Sequence, residues 1–369
     1  MMDPFDLLKN SLAEEGPNAV FDRLLILLRE QKNYPLLLEA RLMCHRHANG
    51  LPLFPSGAIG DLPAEHQAAY QAALRDAARE AGELFLGDGD IVRSWPYFRA
   101  ISNPAPVAEA IERLPAAQIT EPVLQIALQE RVHPRKGFEA LLEQQGLCAA
   151  IGFAASYPDR DARVQFLQAL VRTLTRDLAA NLKAAIATAE GRAPETASVA
   201  TLLTGRDWLF AGARFYIENS HLTSLVQASP DLPDRESLQF AWELTEYGRR
   251  LDPMFAFPSN PPFADTYVDF GAYLRALLGD ETGLIHFRQK VANSVPGSAE
   301  ILVGLLTRLG RYAEAVDVSV DHLAGEAGST CLSAVQLCQM AGDYPRLRAL
   351  ARQDGDLLAF TAAMLQGPR

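Results

Sequence analysis

Two short stretches, LGRYAEAVDV at 309–318 and AGDYPRLRAL at 341–350, each set Gly, any residue and Tyr ahead of a run with helical spacing. Their tyrosines, Tyr312 and Tyr344, stand 32 residues apart, and Gly279 in ALLGDETGLIHFRQKVA precedes Gly310 by 31. In each unit an apolar run ends at Gly, a short turn follows, and a second helical run begins. Glycine suits the position just past a helix end, where the backbone turns left-handed. A lone amphipathic helix pair cannot bury its apolar stripe, so pairs stack on their neighbours. A period of roughly 30–35 residues is the signature of such stacks. The spacing predicts antiparallel helix pairs turning at Gly279-Asp280, Gly310-Arg311 and Gly342-Asp343, with Ala315 buried where two helices cross.

The same punctuation recurs near the N-terminus. LLREQKNYPLLLEARLM carries Asn33-Tyr34-Pro35 where the later unit has Asp343-Tyr344-Pro345. Proline is well tolerated in a first helical turn, because that N–H has no helical partner. ELFLGDGDIVRSWPYFRAI adds a Gly-marked turn at Gly87 and Gly89. Ala, Leu, Arg, Glu and Gln dominate the chain, all good helix formers, and no long stretch alternates apolar with polar residues. The expected fold is all-α: an α-solenoid of antiparallel helical hairpins with an irregular helical middle. Three regions follow, with hairpins over 1–103, the irregular middle over 104–265 and the clearest repeats over 266–369.

The GRYAEAV stretch, Gly310 to Val316, resembles the tetratricopeptide repeat (TPR) family in its turn Gly, its Tyr and the Glu-Ala of its second helix. Ala315 holds the small-residue position, which becomes Leu284 and Leu347 in the neighbouring units. The resemblance implies a peptide or protein partner bound on a concave helical face.

The middle does not keep the period. TEPVLQIALQERV opens with Thr120 as an N-cap and Pro122 in the first turn. A long amphipathic helix ends at Gly191, and DRESLQFAWELTEYGRRL is another helix. Two loops, 50–63 and 251–267, are rich in Pro and carry Phe54, Phe255, Phe257 and Phe263. Loops of that length are either functional or cover a core edge. These phenylalanines are expected to plug the core, and Trp95, Trp208 and Trp242 to fill it.

Candidate chemistry rests on two Glu-x-x-His segments. Glu130 and His133, and Glu218 and His221, each space a carboxylate and an imidazole by one helical turn. Bundle proteins that hold two metals use such pairs with further Glu residues. A divalent metal is therefore the cofactor under an enzyme alternative, and no cofactor under the binding reading. Pro134 ends the first helix after His133, and Asn219-Ser220 could start a new one, which weakens both pairs. Arg135 and Lys136 precede a helix whose N-terminus could hold an anion; a basic surface turn is the simpler expectation. Cys44, His45 and His47 cluster at a Gly-terminated helix end, where cations suit the helix dipole. Ser220 and His221 are adjacent, so on one helix their side chains diverge.

The formal net charge of −11 disfavours nucleic acid, whose nonspecific binding needs phosphate neutralisation. Cys44, Cys148, Cys331 and Cys338 include no CxxC pair. The N-terminus lacks the basic start and apolar core of a signal peptide, and no apolar run approaches the roughly 20 residues of a membrane span. A cytoplasmic protein without membrane contact is expected. The Ala- and Arg-rich, Lys-poor composition points to a bacterial source with a GC-rich genome. The function expected is non-catalytic binding of a protein or peptide, the alternative a metal-dependent or anion-binding enzyme.

Overall fold

The computed structural model describes residues 3–54, 62–196, 198–257, 259–323 and 331–366. Among these residues there is no strand; nineteen α-helices and a few 3-10 turns carry the fold. Helices adjacent in sequence pack on one another through most of the chain. The all-α expectation holds. No helix among the described residues is long and apolar enough to cross a membrane.

The packing divides the chain once, into Met1–Gly146 and Leu147–Arg369. The three regions read from the sequence follow the repeat pattern instead. The first unit contains α1 (Pro4–Glu14), α2 (Pro17–Glu30), α3 (Tyr34–Ala48), α4 (Ala64–Gly87), α5 (Ile91–Ala100), α6 (Ala105–Arg113) and α7 (Glu121–Leu128). Helix α8 (Pro134–Ser156) is broken at Gly146, with φ +79° and ψ 177°, and the division falls at this break. The second unit holds α9 (Arg160–Glu190), α10 (Val199–Leu203), α11 (Asn219–Ala228), α12 (Arg235–Gly248), α13 (Thr266–Leu277) and α14 (Glu281–Ala292). It ends with α15 (Ser298–Arg308), α16 (Tyr312–His322), α17 (Ala334–Ala341), α18 (Tyr344–Gln353) and α19 (Leu357–Gln366).

The repeated turns share one geometry. Gly279, Gly310 and Gly342 have φ of +95°, +72° and +68°. In each turn the next residue's N–H bonds back to the carbonyl five positions earlier: Asp280 to Arg275, Arg311 to Leu306, Asp343 to Cys338. This is the Schellman closure, which satisfies carbonyls that a helix end would leave free. Asn33 and Asp343 then cap the following helices, accepting from the N–H groups of Leu36 and Arg346. The Pro after each Tyr sits in the first turn, as the sequence predicts.

Packing follows from these turns. In the first unit Leu25 and Leu28 of α2, Tyr34, Leu37 and Ala40 of α3, and Ala81 and Phe85 of α4 form a continuous core. In the second, Leu284 and Phe287 of α14, Leu302, Leu305 and Leu306 of α15, Ala315 and Val316 of α16, and Leu337 and Leu347 do the same. Ala315 is fully buried. Helices α13 and α14 approach so closely that a Cβ on Gly283 would lie 2.2 Å from the Ala272 carbonyl oxygen.

Of the four loop phenylalanines, half-buried Phe263 packs against the core as expected. Phe263 stacks on Phe270 with centroids 4.2 Å apart and meets Phe287 edge-on. Phe255 is half-buried against Phe215. Phe54 and Phe257 are exposed. Next to Phe263, Lys290 Nζ donates to the Pro262 carbonyl at 2.6 Å. The tryptophans also depart from expectation. Trp95, Trp208 and Trp242 are half-buried, since so large a side chain rarely disappears entirely.

Candidate functional site

The two Glu-x-x-His segments are not helical turns. Helix α7 ends before Glu130, and Arg131 takes φ +56°, so Glu130 and His133 leave the helix in different directions. Glu130 pairs with Arg99 at 3.0 Å. His133 Nε2 lies 3.1 Å from Glu112 Oε2, and its Nδ1 accepts from the Lys136 N–H at the start of α8. Glu218 is the cap residue ahead of α11 and its carboxylate accepts from Ser220 Oγ at 3.3 Å; His221 lies inside the helix. Glu130 and His133 belong to the first unit, Glu218 and His221 to the second. Among the described residues no group of three or more His, Cys, Asp or Glu side chains is gathered in a way that could hold a metal ion.

The basic turn is internally engaged. Arg135 Nη2 donates to both Glu112 oxygens at 2.7 and 2.8 Å, and Nη1 reaches Glu139. Lys136 is half-buried beside it. An anion arriving here would compete with two carboxylates for Arg135. In the Cys44 segment His45 packs against Tyr70 and His47 against Phe21. These contacts account for both rings as packing groups at a helix end.

One polar centre in the second unit escaped the sequence pattern. Asp269 of α13 is buried, and its Oδ1 lies 2.7 Å from His286 Nε2 and 2.6 Å from Lys290 Nζ, both on α14. The Asp265 N–H donates to Oδ2 at 2.9 Å. Burial alone would raise the Asp269 carboxyl, but the hydrogen bonds from His286, Lys290 and Asp265 outweigh it and hold the group below its ordinary value. Beside it, His286, Thr282, Arg249 and Arg275 line a cavity of about 190 Å³. Arg249 and Arg275 both donate to Glu246, at 3.1 and 3.3 Å. Every charge here has an internal partner, and Lys290 also holds Pro262. The centre thus fastens the 251–267 loop to α13 and α14. His286 and Asp269 lie 17 residues apart in sequence with no shared motif, so only the α13–α14 crossing brings them together.

The surface feature with the clearest functional content is α19. Its inner face carries buried Ala359 and Ala363. Its outer face carries Leu357, Leu358, Met364 and Leu365, exposed at 79, 85, 55 and 82%. The helix, LLAFTAAMLQ, has no ionisable side chain. Contiguous exposed apolar groups of this kind mark interaction sites. The outer residues are arranged symmetrically about exposed Thr361, with Leu357 opposite Leu365 and Leu358 opposite Met364 in spacing.

Comparison of the chain with protein-family models, with curated proteins and with solved structures finds no match in any of the three.

Proposed function

We propose that this chain is a non-catalytic α-helical repeat protein of TPR-like build that binds another protein or a peptide, and that α19 is the contact face. The uncharged, apolar outer stripe of α19 is the observation that carries this reading. A stripe of Leu357, Leu358, Met364 and Leu365 fits the apolar face of a partner helix, read as anchors one and two turns apart. The symmetry about Thr361 favours an antiparallel helix with the same spacing, because large groups then meet large groups around the small centre. Sequential helix pairs joined by Schellman turns supply a rigid support for such a face.

Selection of a displayed peptide library against the full chain tests it. A Leu358→Glu, Leu365→Glu double variant serves for counter-selection, because both positions are exposed and their loss removes no core contact. The expected outcome is enrichment of amphipathic helical peptides that bind the native chain and not the variant. Enrichment that survives the double substitution, or none at all, would remove α19 from the account.

A further inference from the structure

The most buried arginine of the described residues has no counter-ion among them. Arg46, in the last turn of α3, is 5% exposed. Its partners are neutral. Nε donates to Tyr70 Oη at 3.3 Å, Nη1 donates to the Pro52 carbonyl at 3.2 Å, and the guanidinium carbon lies 4.7 Å from the Tyr70 ring centroid. Nη2 donates to no described residue. More exposed arginines of the same unit show the opposite arrangement. Arg29 and Arg41 meet Glu80, Arg93 meets Asp90 and Arg99 meets Glu130. A guanidinium keeps its proton in a protein, and burying a charge is costly unless it is paired. Two neutral oxygens and an aromatic face offset only part of that cost.

Arg46 is part of the wall of a cleft of about 360 Å³, at the lower end of the roughly 300–1,000 Å³ of small-molecule sites. The rest is mostly apolar: Leu24 and Leu28 of α2, Leu36 and Met43 of α3, with Phe54 and Tyr70. Glu39, exposed on the same helix, is the other charged group of the lining. It stands two helical turns from Arg46, about 10 Å along the axis. A carboxylate entering the cleft is therefore drawn to one end and repelled from the other.

We infer that this cleft binds a monocarboxylate with one apolar chain, of the fatty-acid class, its carboxylate on Arg46 and its chain against the leucines and Met43. One negative charge neutralises the Arg46 guanidinium; a doubly charged head would leave excess charge in an apolar site that also carries Glu39. The inference is independent of the α19 face and would stand without it.

Calorimetric titration of the full chain with decanoate, octanoate and decanol tests it. Decanoate should bind saturably, one per chain, at least about tenfold more tightly than decanol. Octanoate should be weaker by about fourfold for each methylene removed. Equal affinity for decanoate and decanol, or no decanoate binding, overturns the inference. In Arg46→Gln the preference for the acid over the alcohol should vanish while decanol affinity is retained; a preference that persists in the folded variant places the carboxylate elsewhere and overturns it as well. Should Arg46→Gln not fold, Met43→Glu carries the test with Arg46 intact. It should weaken decanoate more than tenfold, and unchanged affinity contradicts the site.

Discussion

Single residues show how differently one residue type is used here. Gly283 sits where α13 and α14 touch, and a methyl group there would meet the Ala272 carbonyl. Gly304, in the middle of α15, has open space around its absent side chain. Gly304→Ala should therefore stabilise the chain by about 0.5–1 kcal/mol, the helix-propensity difference. Gly283→Ala should destabilise it by about 1–3 kcal/mol through overpacking. Denaturant titration of both checks the contrast, and the same sign for the two would contradict the close crossing. Asp269 gives a pH-dependent test. Its carboxyl is held below the ordinary value in the folded chain, so the unfolded chain takes up its proton first as pH falls. The stabilisation is complete above the unfolded value of about 3.9 and is lost as pH drops through the lower, folded value. Asp269→Asn should cost about 3 kcal/mol at neutral pH by stranding Lys290. The gap between native and variant stability should narrow only below about pH 4; a gap independent of pH there would mean the ion pair does not form.

At the level of elements, part of the repeat was legible because glycine marked it, and part was hidden because glycine was not required. Lys32, Ser102 and Ser294 have φ of +53°, +53° and +54°. Each is followed by the same back-bond seen at Gly279, Gly310 and Gly342: Asn33 to Leu28, Asn103 to Phe98, Val295 to Lys290. A left-handed non-glycine residue is strained, yet the Schellman bonds and the helices on either side hold it. Lys32 occupies the place that Gly342 takes before Asp343-Tyr344-Pro345, which is why the N-terminal copy looked like a loose echo. The Glu-x-x-His pairs are the converse case. Their spacing means something only inside a helix, and Arg131 and the cap before α11 interrupt both. Ala315 was readable from the repeat, and its full burial sets an element-scale test. Ala315→Trp should overpack the α16 contact at a cost of about 1–3 kcal/mol or more; an unchanged melting temperature would show that no helix meets α16 there.

For the whole molecule, the fold class came through in the sequence and the surface chemistry did not. LLAFTAAMLQ reads equally well as a fully buried helix, and only its position in the packing shows that one side is bare. Arg46 likewise stands in HRHANG, which reads as a polar helix end; its burial comes from Tyr70 on α4 and Pro52 beyond α3. Both cases turn on how the helix is packed against its neighbours, which neither periodicity nor composition records. The binding role assigned to α19 therefore depends on that helix meeting a partner in solution. Hydrogen exchange of the full chain, with and without a saturating helical peptide selected against it, measures this directly. The account predicts slowed amide exchange across 357–366 on peptide addition, with no such slowing when Leu358→Glu, Leu365→Glu replaces the native chain. Protection confined to other helices, with 357–366 exchanging as before, would contradict it.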